Sequence, residues 1–188
     1  MAEANNTPAR PVFLMLSLVL SLTLQSTSRG AQHSPTLNPE NEARFRAVLP
    51  GAERFVCSDE TLPHYRAYGP GPANDSRQLI GLIVLTHEVE PYEVGYAGRI
   101  DILVGMTTAG VITGVEVMEH DEPYGDFSID EPAFASQFVG KRITEPLRVG
   151  QDIDAVTRAT ITVEGATRAI RKAARQVARQ HLRDTQEK

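Results

Sequence analysis

"RIDILVGMTTAGVITGVEVMEH" (Arg99–His120) decides the fold. Two runs rich in Ile and Val flank Thr108-Ala109-Gly110, a turn signal whose glycine can take positive φ. In the second run Val111, Thr113, Val115, Val117 and Glu119 share one parity, while Ile112, Gly114, Glu116 and Met118 share the other. One face is more apolar than the other, as expected of an antiparallel hairpin lying on a core.

Working outward, "QLIGLIVLTHEV" (78–89) is a branched apolar run long enough for a central strand, and "HYRAY" (64–68) reads as a short one. The breaker-rich "GPGPANDS" (69–76) between them is a loop or hairpin connection. Asn38 can cap a helix with Pro39 in its first position, which "ENEARFRAVL" (40–49) continues to Pro50. Phe45, Val48, Leu49 and Ala52 share one of its faces. Beyond the hairpin, "DEPAFASQFVG" (130–140) predicts a short helix with Ala133, Phe134, Phe138 and Val139 available for packing. The longest helix is expected from Val163 to about Leu182, its core stripe being Val163, Ala166, Ile170, Ala173 or Ala174, and Val177. Strands in the middle with helices before and after give an α+β fold, an antiparallel sheet with flanking helices.

The chain of 188 residues has room for one such domain. "VFLMLSLVLSLTL" (12–24) precedes it, an uncharged segment after Arg10. A membrane-crossing helix needs about 20 apolar residues, whereas a signal-peptide core needs about 7–15. The segment therefore reads as an export signal, or as an uncleaved anchor that borrows Pro11 and Gln25–Thr27. Residues 1–30 are assigned to this signal or anchor, 31–39 to a linker, 40–183 to the folded domain and 184–188 to a polar tail.

Residues 31–162 carry a net charge of −10 and residues 163–188 one of +4. An acidic body argues against wrapping nucleic acid, which rewards a basic face through counterion release. The basic residues of the last helix, Arg168, Arg171, Lys172, Arg175, Arg179 and Arg183, read first as a solvated face lying across that body; contact with anionic lipid or a partner is the other reading. The block Glu116–Glu131 holds seven carboxylates and no Lys or Arg. Its "EHDEP" (119–123) reads as a solvated strand end or loop, with a hard-cation site as the alternative. His33, His64, His87 and His181 show no ligand spacing and are expected at the surface or in packing. A single cysteine, Cys57, excludes an internal disulfide and a cysteine-built cluster. No nucleophile elbow, P-loop, dinucleotide fingerprint or zinc-deaminase signature is present.

One stretch remains, "DAVTRATITVEGATRAI" (154–170). Small residues lead here into a helix start, where unpaired backbone N–H groups attract phosphate. Thr160 and Thr162 lie at that entry, and small Ala159 would let a phosphate-bearing ligand come close. The residues alone leave two readings open: a ligand site, or a threonine that caps the helix and contributes about 1 kcal/mol.

"DAVTRAT" resembles the D-x-x-[ST]-G-A-[ST] signature of the FMN-binding domain family, in which FMN is joined to threonine through a phosphoester. Such domains occur in flavin subunits of the Rnf and sodium-pumping NADH:quinone oxidoreductase complexes, and in membrane regulators of nitrous oxide and nitrite respiration. "FRAVLPGAERF", "YRAY", "GYAGRIDILVGMTTAGVITGVEVMEHDEP" and "DAVTRATIT" are similar, in that order, to the flavin domain of those regulators, so the resemblance covers about residues 40–180. It implies that Asp154 is the motif's acid, Thr157 its hydroxyl, Ala159 its small residue and Thr160 the flavinylated threonine. Arg158 stands where glycine is usual, which bears on the backbone there and on recognition by the modifying enzyme; its guanidinium could instead help neutralise the attached phosphate. Thr167, in the tidier "GAT", has Ile161 in the acid's place and Glu164 in the hydroxyl's. Thr162 lies within the same helix entry, and Tyr96 of "GYAG" is expected to pack on the isoalloxazine ring. The resemblance further implies a separate flavin transferase using FAD and Mg²⁺, redox partners in a membrane respiratory chain, and a location on the outer, periplasmic side of the membrane, with residues 11–27 available for attachment. The chain would be that transferase's substrate and an electron carrier rather than a stand-alone enzyme. The rival readings are a flavin-based sensory module and a non-flavin structural domain.

Overall fold

The computed structural model describes residues 39–58, 62–72 and 77–186. The apolar segment 12–24 and residues 31–38 of the linker, with His33 and the expected cap Asn38, lie outside the described residues. Among the described residues no helix is long and apolar enough to cross a membrane.

The elements run α1 (Pro39–Val48), β1 (Arg54–Ser58), β2 (His64–Pro70), β3 (Arg77–Leu85), α2 (Thr86–Val89), β4 (Ile100–Thr107), β5 (Ile112–His120), α3 (Pro132–Ser136) and α4 (Thr160–Gln186). The five strands form one antiparallel meander in the order β1-β2-β3-β4-β5. This is the α+β sheet with flanking helices that the sequence predicts.

Both faces of the sheet are covered, and alternation sorts the side chains between them. Leu82, Val84, Ile100, Ile102, Val104 and Met106 turn towards α3 and α4. Ile83, Leu85 and Leu103 turn to the other face, where Phe45 and Val48 of α1 and Leu49 just after it pack with Phe55 and Tyr65. The expected apolar face of α1 is buried in full, Ala52 included. So is the stripe of α4, from Val163 through Ala166, Ile170, Ala173 and Ala174 to Val177. Gly105 and Gly114 face each other across β4 and β5. A Cβ on either would lie within 2.5 Å of Val48 backbone atoms, so the paired glycines let α1 sit close against the sheet.

Several local expectations are corrected. The predicted turn holds, with Gly110 at φ 72°, but strict parity in β5 does not. Register shifts near Gly105/Met106 and Asp101/Ile102 insert extra residues at Thr113 and Met118. Ile112, Val115 and Val117 therefore share the α4 face, although the sequence sets Ile112 apart from the two valines. "QLIGLIVLTHEV" does not stay extended to its end, because Thr86–Val89 turns into α2. There the Thr86 hydroxyl replaces the ladder: it donates to Ile100 O (3.4 Å) and accepts from Ile102 N (3.2 Å). The short helix ends at Ser136, before Phe138 and Val139; Phe134 within it and Phe138 in the turn that follows are buried, whereas Ala133 and Val139 are exposed. Strand β1 has no counterpart in the expectations.

The basic face of α4 is less solvated than expected. Arg168 and Lys172 both pair with Glu93. Arg171 donates to Leu147 O (2.8 Å), and Arg175 to Ile143 O (2.6 Å) and Glu145 O. These side chains fasten loop segments 90–93 and 143–147 onto the helix.

Candidate functional site at the start of the last helix

The segment before α4 turns sharply. Ala159 N donates to Val156 O (3.1 Å), closing a turn over Val156–Ala159. Arg158, its third residue, has φ 72°. Turns with positive φ at that position favour glycine. The motif's usual glycine thus has a conformational reason, and Arg158 adopts the same backbone shape despite its Cβ.

Ala159 is buried and its carbonyl accepts from Val163 N (2.9 Å), so the helix proper starts at Thr160. The N–H groups of Thr160, Ile161 and Thr162 make up its first turn, where no intrahelical acceptor exists. Thr160 is exposed, and its hydroxyl makes one long bond to Val156 O (3.4 Å). Thr162 is turned inward at 2 % exposure and donates to a carboxylate oxygen of Glu122. Thr167, two turns further in, is buried. Asp154, Thr157 and Arg158 are exposed on the approach to the helix. Asp154 is held through its backbone, its N–H donating to Gln137 Oε1 (2.7 Å) beside α3.

Tyr96 comes to the same end of α4. Its backbone N donates to Glu122 Oε2 (3.1 Å), the N of Ala97 donates to Oε1 (2.9 Å), and Tyr96 as a whole is 65 % exposed. A Cβ on Gly165 would lie 2.4 Å from Val94 O, so the "GYAG" loop runs against the helix itself. Tyr124 and Phe127, two partly exposed rings 5.5 Å apart, lie in the loop that follows Glu122.

Glu122 is the residue that sequence reasoning missed. It sits in "EHDEP", expected to be solvated, yet its exposure is 6 %. Its neighbours are organised too. His120 Nδ1 accepts from Glu122 N (3.0 Å), which leaves Nε2 to donate to Asp130 Oδ1 (2.9 Å). Among the described residues no group of three His, Cys, Asp or Glu is placed to hold a metal ion. The sequence signal for Glu122 is faint, because its partners lie 25, 26 and 40 residues away.

Electrostatics tie the same loop to α4. Burial raises Glu93, but hydrogen bonds from Lys172 and Arg168 outweigh it and hold the carboxyl below its ordinary range. His64 and His87 belong to packing. His87 lies 3.1 Å from Asp101, and burial pushes it below the usual imidazole value although Asp101 pulls it up.

Residues 95–175 match the family described as FMN-binding domain. One component of the ion-translocating oxidoreductase complex of Methanosarcina acetivorans is 34 % identical over 162 residues, 81 % of this chain and 82 % of that protein. A component of the Na(+)-translocating ferredoxin:NAD(+) oxidoreductase complex of Acetobacterium woodii is 27 % identical, over 61 % of this chain and 69 % of its own. Protein NirI of Paracoccus denitrificans is 29 % identical across 94 % of this chain, which spans only 25 % of NirI.

Proposed function

The chain belongs to the FMN-binding domain family, and on that footing we propose that it carries FMN covalently, as a phosphoester of Thr160, and serves in electron transfer at the outer face of the cytoplasmic membrane. The observation that carries this is the placement of Thr160: an exposed hydroxyl on the first residue of a long helix, directly after a left-handed turn. A phosphate on that hydroxyl falls among the first-turn amides of Thr160, Ile161 and Thr162 and at the positive end of the helix dipole. Buried Ala159 leaves room for it, and Arg158 beside it supplies a guanidinium. The residues present therefore fit the group. Asp154 and Thr157 complete the exposed approach that a modifying enzyme would read. Thr162 contributes through its amide, since its hydroxyl is taken by Glu122. The exposed Tyr96 ring offers an aromatic surface to the isoalloxazine.

When bound, FMN supplies the redox chemistry; the protein sets its exposure and orientation. A threonine hydroxyl is a poor nucleophile near neutral pH and needs activation by a base or metal. We assign that to a flavin transferase using FAD and Mg²⁺. The Thr160 oxygen forms a bond to the FMN phosphorus, the pyrophosphate bond breaks, AMP leaves, and the hydroxyl proton passes to the transferase's base. Redox partners in a membrane respiratory chain follow from the relatives named as components of ion-translocating oxidoreductases. Residues 11–27 would supply the export signal or anchor.

Co-expressing residues 31–188 with and without a flavin transferase tests the reading. In-gel flavin fluorescence after denaturing electrophoresis is expected only with the transferase. Peptide mass mapping should place FMN on Thr160, and the label should vanish in Thr160→Ala and persist in Thr167→Ala. No covalent flavin on the wild-type chain overturns the proposal.

A further inference from the structure

Glu122 joins the two halves of the site. Its carboxylate receives three hydrogen bonds, from Tyr96 N (3.1 Å), Ala97 N (2.9 Å) and the Thr162 hydroxyl. Two of these come from one loop and the third from the first turn of α4. The approach is close enough to require glycine, since a Cβ on Gly95 would lie 2.4 Å from Glu122 Oε1. The loop is also pressed on the helix from behind, where Gly165 leaves space for Val94 O and Gly95 Cα.

A buried carboxylate is a costly way to hold two elements together. Its desolvation must be offset by hydrogen bonds, and an apolar contact of the same volume often stabilises as well or better. What the carboxylate adds is direction: the amides of Tyr96 and Ala97, one on each oxygen, fix the two peptide planes that flank the Tyr96 Cα. The Tyr96 side chain is left out of this clamp and points to solvent. The backbone is held and the ring is presented, at the helix end that bears Thr160.

We propose that Glu122 is the positioning residue of the flavin site, clamping the backbone on both sides of Tyr96 to the first turn of α4 so that the Tyr96 ring stands against a flavin attached at Thr160. This rests on the Thr160 reading in its second half only. Glu122 acts through Tyr96 and the helix start, and need not touch the flavin.

The test has one arm for each half. In the protein without flavin, amide hydrogen exchange is measured by NMR on wild type, Glu122→Ala and the milder Glu122→Gln, whose amide cannot accept all three hydrogen bonds. The Tyr96 and Ala97 amides should exchange roughly tenfold faster in a folded variant, the scale of one lost hydrogen bond. Leu103 and Val104 in β4 should keep their protection. Unchanged exchange at Tyr96 and Ala97 overturns the clamp. In the flavinylated protein the flavin fluorescence lifetime is read, because a tyrosine against the ring quenches its excited state by donating an electron. Tyr96→Leu should lengthen the lifetime, and Glu122→Gln should lengthen it to match; a merely structural role would lower thermal stability and leave the lifetime short. A lifetime unchanged in either variant overturns the positioning role. If the wild-type chain takes no covalent FMN, the Thr160 reading fails by itself, and the exchange arm still decides whether Glu122 holds the loop.

Discussion

Arg158 is the residue at which this chain departs from its family's signature, and its geometry makes that departure costly. A side chain with a Cβ in the left-handed region costs about 1–2 kcal/mol relative to an ordinary conformation, a cost that glycine escapes. Since Arg158 has φ 72°, Arg158→Gly should stabilise the fold by about 1 kcal/mol, and the melting temperature should rise by about 2–4 °C in a domain of this size. Differential scanning calorimetry of the protein without flavin decides this. A fall in melting temperature would mean that Arg158 makes contacts worth more than its strain. The same residues show what one sequence discloses. The resemblance to the family's signature implies Thr160 over Thr167, and the need for free amides favours the same choice. The inward turn of Thr162 was hidden, because it depends on a carboxylate 40 residues upstream.

At the scale of elements, the hairpin β4–β5 was legible because turn chemistry and branched residues agree over a short range. Its bulges were not. An extra residue at Thr113 or Met118 shifts the parity of everything beyond it, and α1 docking against the glycines is a long-range matter. Strand β1 escaped for a related reason. Five residues with an exposed arginine at one end carry too little alternation to stand out, and only pairing with β2 defines them. The docking of α1 gives a direct test. In Gly114→Ala the new methyl would sit 2.5 Å from Val48 Cα, and the Thr113 hydroxyl bond to Val48 O (2.6 Å) would be pushed apart. Overpacking of this kind costs about 1–3 kcal/mol. Urea denaturation should show that loss, with the same sign for Gly105→Ala. Full stability in both variants would mean that α1 does not rest on the glycine pair.

Across the whole molecule, the fold class could be read from the order of its apolar runs, but the way an acidic body holds a basic helix could not. Net charge suggested a solvated face, whereas Glu93 takes both Arg168 and Lys172 at once. That pairing makes the attachment of α4 sensitive to acid. Burial pushes the Glu93 pKa up, but the hydrogen bonds from Lys172 and Arg168 bring it below its ordinary value of 4.5. A carboxylate depressed in the folded state contributes stability that is fully present above its unfolded pKa, and loses it as pH falls through the folded one. Glu93→Gln should therefore weaken the protein at pH 7, and the difference from wild type should shrink steadily below about pH 4.5. Urea unfolding of both proteins at pH 7, 5, 4 and 3 measures it. An equal deficit at every pH would show that Glu93 acts by packing and not by charge, and that the grip of the loop on α4 does not depend on its ionisation.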